Sequence, residues 1–268
     1  MRLEGKVAIV TGASAGIGYA TAKLFCKEGA HVIAAARRVS RMQKLTRECT
    51  EAGYPGDITI VKTDVRVPDQ IEHVYDVALE KFGTFDVVVN NAGVLDGMRP
   101  VHEVTDEIYD LVYETDQKSV FLSCRRAVQI LLDQNKHGSI INMGSAASLR
   151  GLRGGLMYVT CKHAVLGMTR NISASYFERG IRCNCICPAN IKTEVNKACA
   201  ELGIGLLDWQ MRAGNGISMA TITPPGQDKP MLGKPSDVAK LCLFLADEKS
   251  SGYISGAEIK IDGSYLNM

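Results

Sequence analysis

Short runs of β-branched and apolar residues alternate with longer amphipathic stretches along almost the whole chain, and no other feature restricts the possible folds as much. The runs fall at 7–10, 32–36, 59–61, 87–90, 139–142, 182–186 and 258–261. Between them, helical periodicity covers 17–28, 41–52, 68–82, 106–134, 157–179 and 236–246. Several runs are apolar at every position, as a strand must be when helices cover both its faces. This order predicts an α/β fold: a Rossmann-like, doubly wound parallel sheet of about seven strands with right-handed crossovers. The rhythm breaks once, over residues 193–234, a Gly- and Pro-containing stretch too long for a plain connection and expected to be a substrate lid. A length of 268 residues allows one or two domains at ~150 residues each. Because the motifs described below interleave along one sheet, a single domain over 1–268 is expected.

Lys and Arg number 31 and Asp and Glu 29, a net charge of +2, with no like-charge run longer than a pair such as Arg37-Arg38. That balance carries no electrostatic footprint for nucleic acid or an anionic membrane. No apolar stretch approaches the ~18 residues of a membrane span. The nine cysteines are odd in number and contain no C-x-x-C. Cys183, Cys185 and Cys187 alternate along a strand and so share one sheet face, where they read as small buried hydrophobes and not as a metal site. Reduced thiols, and a charged N-terminus that runs directly into a strand, lead us to expect a cytoplasmic protein.

The first strand runs into Thr11-Gly12-Ala13-Ser14-Ala15-Gly16-Ile17-Gly18 and then a helix. Glycines permit a tight turn and close approach to a phosphate, and the helix start offers unpaired N–H groups and a positive dipole end. The spacing is G-x-x-x-G-x-G, not the common G-x-G-x-x-G, so a packing turn remains an alternative at this point. A free ribose 2′-OH is usually met by an acid at the end of the second strand. Here the strand ends in Ala34-Ala35-Ala36 and Arg37-Arg38 follow. A guanidinium forks onto a 2′-phosphate, which predicts NADP (NADPH) over NAD; two solvated arginines are the plainer alternative.

Tyr158 and Lys162 stand four residues apart in a helical stretch and therefore on one face. A phenol is a poor base at neutral pH, and a neighbouring ammonium favours its phenolate, which suits acid–base work on an alcohol. Ser145 precedes Tyr158 by thirteen residues, just after a strand, at the sheet edge that lines the ligand crevice.

With these residues in place the chain resembles the short-chain dehydrogenase/reductase family over its whole length. The matching pieces are Thr11-Gly12…Gly16-Ile17-Gly18, Asp64, Asn90-Asn91-Ala92-Gly93, Ser145, Tyr158, Lys162, Pro188…Thr193 and Asp262-Gly263. The resemblance implies a nicotinamide cofactor held by Gly12, Ser14, Gly16, Ile17 and Gly18, with Asp64 and Val65 at the adenine. Asn90, Asn91, Ala92 and Gly93 would brace the sheet and flank the ribose. Tyr158 would transfer the proton, Ser145 would position the substrate oxygen, and Lys162 would bind the ribose and bias Tyr158 toward phenolate. Pro188, the Ile191 backbone and Thr193 would receive the carboxamide. No metal is implied, and members are commonly tetramers, so a homo-oligomer, tetramer or dimer, is expected. Three departures stand out. Asp116 occupies the position of the family's usual Asn, which bears on a proton relay from Lys162. Ala189 and Ser264 replace two usual glycines.

The stretch 193–234 carries Leu206, Leu207, Trp209, Met211, Ile217, Met219, Ile222 and Pro224-Pro225, and Leu152 and Met157 adjoin the catalytic pair. Thioethers and indole suit a bulky apolar ligand, and packing on the body or on a second subunit is the alternative. The favoured reaction is interconversion of a secondary alcohol and a ketone on a hydroxysteroid or another bulky cyclic compound. The alternatives are a 3-oxoacyl thioester reductase, with Arg125-Arg126 facing an acidic carrier, and a nucleotide-binding regulatory protein without turnover.

Overall fold

The computed structural model describes residues 1–151, 153–205 and 232–267. Seven parallel strands form one sheet: β1 (Val7–Thr11), β2 (His31–Ala36), β3 (Asp57–Lys62), β4 (Val87–Asn90), β5 (Gly138–Met143), β6 (Ile181–Pro188) and β7 (Glu258–Ile261). Their spatial order is β3-β2-β1-β4-β5-β6-β7. The helices are α1 (Gly16–Lys27), α2 (Val39–Glu51), α3 (Pro68–Phe82), α4 (Asp106–Tyr113), α5 (Ser119–Asp133), α6 (Leu156–Tyr176), α7 (Val195–Ala200), α8 (Pro235–Ala246) and the short α9 (Glu248–Ser251). The expected fold class and all seven expected strands are present.

Every residue of β6 is buried, because α6 and α5 cover one face of the sheet while α1, α2 and α8 cover the other. Alternate residues of β1 accordingly divide between the two layers, Val7 and Ile9 in one and Ala8 and Val10 in the other. Cys183, Cys185 and Cys187 lie together on the α5–α6 side, and all nine cysteines are free and buried. Local signals set several helix ends. Pro68 and Pro235 open α3 and α8, where a missing N–H costs nothing, and Gly83 ends α3 at a left-handed φ of 72°.

One expected element is divided. The periodicity over 106–134 predicts a continuous helix, but a wide π turn at Glu114–Lys118 separates α4 from α5. The extra residue in that turn brings Asp116 inward, where it is fully buried. Such turns collect at functional sites. Helical structure over 157–179 also changes character at its end, since α6 stops at Tyr176 and a 3₁₀ turn, Phe177–Arg179, leads to Gly180 at φ 75°.

Candidate active site

The strand order reverses between β1 and β4, and a cleft of about 690 Å³ opens at the carboxyl ends of the strands there. Open α/β sheets bind ligands at such a switch point. The cleft brings together Ser145, Tyr158, Lys162 and Asp116 with the expected cofactor residues that follow β1, β2, β3, β4 and β6, and Gly18 packs against Asn91 and the Gly12 carbonyl just outside its lining.

At one end the floor is backbone. Gly12 and Gly16 hold φ of +68° and +56°, a conformation that side chains disfavour. A Cβ on Gly12 would stand 2.6 Å from Asn91 Nδ2, and one on Gly18 would stand 2.5 Å from that atom and from the Gly12 carbonyl oxygen. Asn91 Nδ2 donates to the Thr11 carbonyl at 2.9 Å. The Thr11 hydroxyl accepts the N–H of Asn91 at 2.9 Å and of Ala92 at 3.1 Å. The loops after β1 and β4 are thereby locked together. α1 begins at Gly16 with no acid in its first turn, so its open N–H groups face the cleft as an anion site. Beyond β2, Arg37 and Arg38 line the cleft. Arg38 donates from Nε and Nη2 to Ser14 Oγ, each at 3.3 Å.

Asp64 and Val65 also line this end. Arg66 forks the Asp64 carboxylate, at 3.0 Å from Nε to Oδ1 and 2.6 Å from Nη2 to Oδ2, and this pairing holds its carboxyl below the usual range. Arg66, like Arg153, lines the cleft and was passed over in the sequence reading; for Arg66 the spacing of two from Asp64 is the signal that would have found it. On the far wall Pro188 closes β6, and the Ile191 N–H donates to the Ala189 carbonyl at 2.8 Å. Thr193 turns its methyl toward Gly16, 3.3 Å from where a Cβ would sit.

At the other end the contacts are buried charges. Lys162 is 4% exposed. Its Nζ donates to the Met143 carbonyl at 3.1 Å and lies 2.9 Å from Asp116 Oδ2 and 5.4 Å from the centre of the Tyr158 ring. Asp116 Oδ1 accepts the Val94 N–H at 2.8 Å. Ser145 follows β5, and its Oγ accepts the Ala147 N–H at 3.1 Å. Burial works to lower Lys162, but Asp116 and Tyr158 outweigh it and hold the ammonium above its ordinary value. Burial pushes Asp116 up, against Lys162 and the Val94 N–H. Protein packed around the Tyr158 hydroxyl raises it as well; Lys162 and Ser145 oppose the rise, while Asp116 and Asp96 add to it. Lys162 therefore pulls Tyr158 toward phenolate, and its surroundings keep the phenol protonated.

Asp96 is the second residue the sequence reading missed. It is fully buried and accepts the backbone N–H of Tyr158 at 3.0 Å. No periodicity ties it to a residue so far along the chain. Leu152 and the apolar residues of 206–231 lie outside the described residues. Among the described residues no cluster of His, Cys, Asp or Glu is arranged to hold a metal ion, and no helix is long and apolar enough to cross a membrane.

A doubly wound sheet, a glycine-floored cleft at its switch point and a Ser, Tyr and Lys at the cleft's end define a class of nucleotide-dependent α/β oxidoreductases. The chain belongs to the short chain dehydrogenase family, whose model matches residues 6–201. It is 33% identical over 263 residues to 3beta-hydroxysteroid dehydrogenase 2 of Eggerthella lenta, covering 98% of this chain and 95% of that protein. It is 35% identical over 266 residues to the 3-oxoacyl-[acyl-carrier-protein] reductase FabG of Thermotoga maritima, covering 99% and 100%. A short-chain type dehydrogenase/reductase from Mycobacterium marinum superposes with a TM-score of 0.83 at 29% identity, covering 98% of this chain and 96% of that one. The family fold implies a nicotinamide nucleotide, NAD or NADP, and the residues present fit one. Gly12 and Gly18 leave no room for a Cβ against Asn91 and the turn's own backbone, which keeps the turn tight. Gly12, Ser14, Gly16 and Ile17 line the cleft at an α1 start that carries no acid, a cradle suited to the nucleotide's phosphates.

Proposed function

We propose that this protein is an NADP(H)-dependent oxidoreductase that interconverts a secondary alcohol and a ketone, with a bulky cyclic substrate such as a hydroxysteroid. One observation carries the reading: a single cleft has Tyr158, Lys162 and Ser145 at one end and Arg37 and Arg38 at the other, where β2 ends in Ala36 without an acid. Gly12, Ser14, Gly16, Ile17 and Gly18 would hold the cofactor's phosphates, and Arg37 and Arg38 would take a 2′-phosphate through charged hydrogen bonds. Asp64 and Val65 would bound the adenine. Asn91, Ala92 and Gly93 would flank the ribose, which Tyr158 and Lys162 would also reach, and Pro188, Ile191 and Thr193 would bound the nicotinamide. When bound, the nucleotide supplies the hydride in reduction and accepts it in oxidation. In reduction, Ser145 holds the substrate oxygen and the Tyr158 O–H bond breaks, giving its proton to that oxygen as the alcohol forms. Lys162 holds the resulting phenolate by charge, and Asp116 holds Lys162.

The names of two steroid dehydrogenases among the relatives support the substrate class. The match to the 3-oxoacyl reductase supports the second reading, a thioester reductase. Oxidation of NADPH with a ketosteroid and with an acetoacetyl thioester separates them. Faster turnover of the ketosteroid is expected; faster turnover of the thioester favours the second reading, and none with either overturns both. A single domain, a reducing compartment for nine free thiols, and a homo-oligomer complete the proposal; of the stretch 193–234 expected to be a substrate lid, residues 206–231 lie outside the described residues.

A further inference from the structure

Asp96 lies in the loop after β4, outside every motif that carries the proposed reaction, and it is fully buried. A buried carboxylate is costly unless its oxygens are satisfied. Here each oxygen receives backbone N–H groups. Oδ1 accepts from Met98 at 3.1 Å and from Gly155 at 3.2 Å, and Oδ2 accepts from Tyr158 at 3.0 Å. Gly155 is the N-cap of α6 and Tyr158 lies in its first turn, where N–H groups have no partner inside the helix. The neighbouring N–H, of Leu156, donates to the Arg99 carbonyl at 2.9 Å. The loop 96–99 thus satisfies three N–H groups at the start of the helix that presents Tyr158.

The fit is close on both sides. A Cβ on Gly155 would stand 2.4 and 2.5 Å from the two Asp96 carboxylate oxygens, so only glycine allows this approach. On the loop side Met98 is held at φ 61°, a conformation that side chains other than glycine's rarely adopt. The same loop is fixed just upstream, where Asp116 accepts the Val94 N–H at 2.8 Å and Cys199 Sγ accepts the Leu95 N–H at 3.2 Å. Upstream of these lie Asn91, Ala92 and Gly93 at the cleft.

We infer that Asp96 is a positioning residue for Tyr158: its carboxylate ties the first turn of α6 to the loop that flanks the cofactor, so the catalytic phenol and the nucleotide are held in one frame. The inference rests on the oxidoreductase reading and deepens it. A displacement of about 1 Å at a reacting group can cost ~100-fold in rate, which is the scale on which such a tie acts. Asp96 also brings charge. The groups whose charge or hydrogen bonding acts on the Tyr158 hydroxyl are Lys162 on α6, Asp116 in the π turn, Ser145 after β5 and Asp96 after β4, and Cys185 of β6 acts on Lys162. Asp96 adds its negative charge to that of Asp116 and opposes ionisation of the phenol.

The test uses the full chain with NADPH and follows four quantities in each variant: kcat, NADPH Kd, Tm, and Tyr158 ionisation by ultraviolet difference against Tyr158→Phe. Asp96→Asn keeps the shape, loses the charge and replaces one acceptor with a donor. It is expected to lower kcat by between about ten- and a hundredfold, to leave NADPH Kd within twofold, and to move the Tyr158 midpoint to lower pH. Asp96→Glu keeps the charge but displaces it, so kcat falls without that downward move. If Asp96→Asn does not fold, Gly155→Ala displaces the helix turn with Asp96 intact and is expected to lower kcat while Kd holds. The inference is overturned if Asp96→Asn keeps kcat within twofold and the midpoint in place. It is also overturned if Kd and Tm collapse together with an unmoved midpoint, which marks scaffolding alone. An inactive wild type would overturn the oxidoreductase reading instead, and the titration, which needs no substrate, would still decide the role of Asp96.

Discussion

The two ends of the cleft are built by opposite means. At the phosphate end the decisive groups are backbone: left-handed glycines, a helix start and two loops locked by Asn91 and Thr11. At the catalytic end they are buried charged side chains, Lys162 against Asp116, with Asp96 of the loop after β4 bonded to the turn that bears Tyr158. The first arrangement tolerates few changes of shape, because a Cβ has nowhere to go. The second tolerates changes of shape but not of charge, because a low-dielectric pocket magnifies each unpaired group. Binding and chemistry should therefore be separable by mutation, and the following variants break or sharpen that contrast in order of expected effect.

Tyr158→Phe removes the proton donor and leaves the cradle untouched. Turnover is expected to fall by about 10²–10⁴-fold, while NADPH Kd, measured by fluorescence titration, stays near that of wild type. Gly18→Val attacks the other end, where a Cβ would meet Asn91 Nδ2 and the Gly12 carbonyl oxygen at 2.5 Å. Overpacking of about 1–3 kcal/mol should weaken NADPH binding by about ten- to a hundredfold. The Tyr158 titration should stay in place, and a moved titration would mean that the two ends are not independent.

Arg38→Ala loses one charge at the edge of the phosphate end. A charged hydrogen bond of about 1.5 kcal/mol predicts about a tenfold loss in kcat/KM for NADPH and none for NADH; an equal loss for both would show that Arg38 serves Ser14 and not the cofactor. Asp116→Asn should have the smallest effect on binding, with NADPH Kd within about twofold. It removes an anion that opposes the Tyr158 phenolate, so alcohol oxidation, which needs the phenolate, should reach its half-maximum at lower pH. A midpoint that stays put or rises would show that Asp116 does not act on Tyr158 through charge.

The phosphate end was legible in the sequence because its parts are contiguous. Thr11 to Gly18 follow a strand and open a helix, and Arg37-Arg38 end the next strand. Each is a local signal, and the strands at 87–90 and 258–261 were readable for the same reason, being short apolar runs between clear breaks. The catalytic end was legible only where spacing along one helix sufficed, as for Tyr158 and Lys162. The π turn at Glu114–Lys118 was not legible, since the periodicity over 106–134 continues through it and only the pull of a buried Asp116 toward Val94 and Lys162 breaks it. Asp96 was hidden for a related reason: it bonds backbone N–H groups at the start of α6, and the one residue type this imposes, glycine at 155, does not stand out beside Gly151 and Gly154. Arg66 was overlooked although its fork onto Asp64 is local.

In the proposed reaction one chain joins a 2′-phosphate-binding end to a proton-donating end and so reduces a ketone with NADPH. The most direct test is kcat/KM of the wild-type protein for reduction of a ketosteroid with NADPH and with NADH in parallel. We expect turnover with a preference for NADPH of at least about tenfold, the value of one charged hydrogen bond. A preference for NADH, or no turnover with either nucleotide, would contradict it.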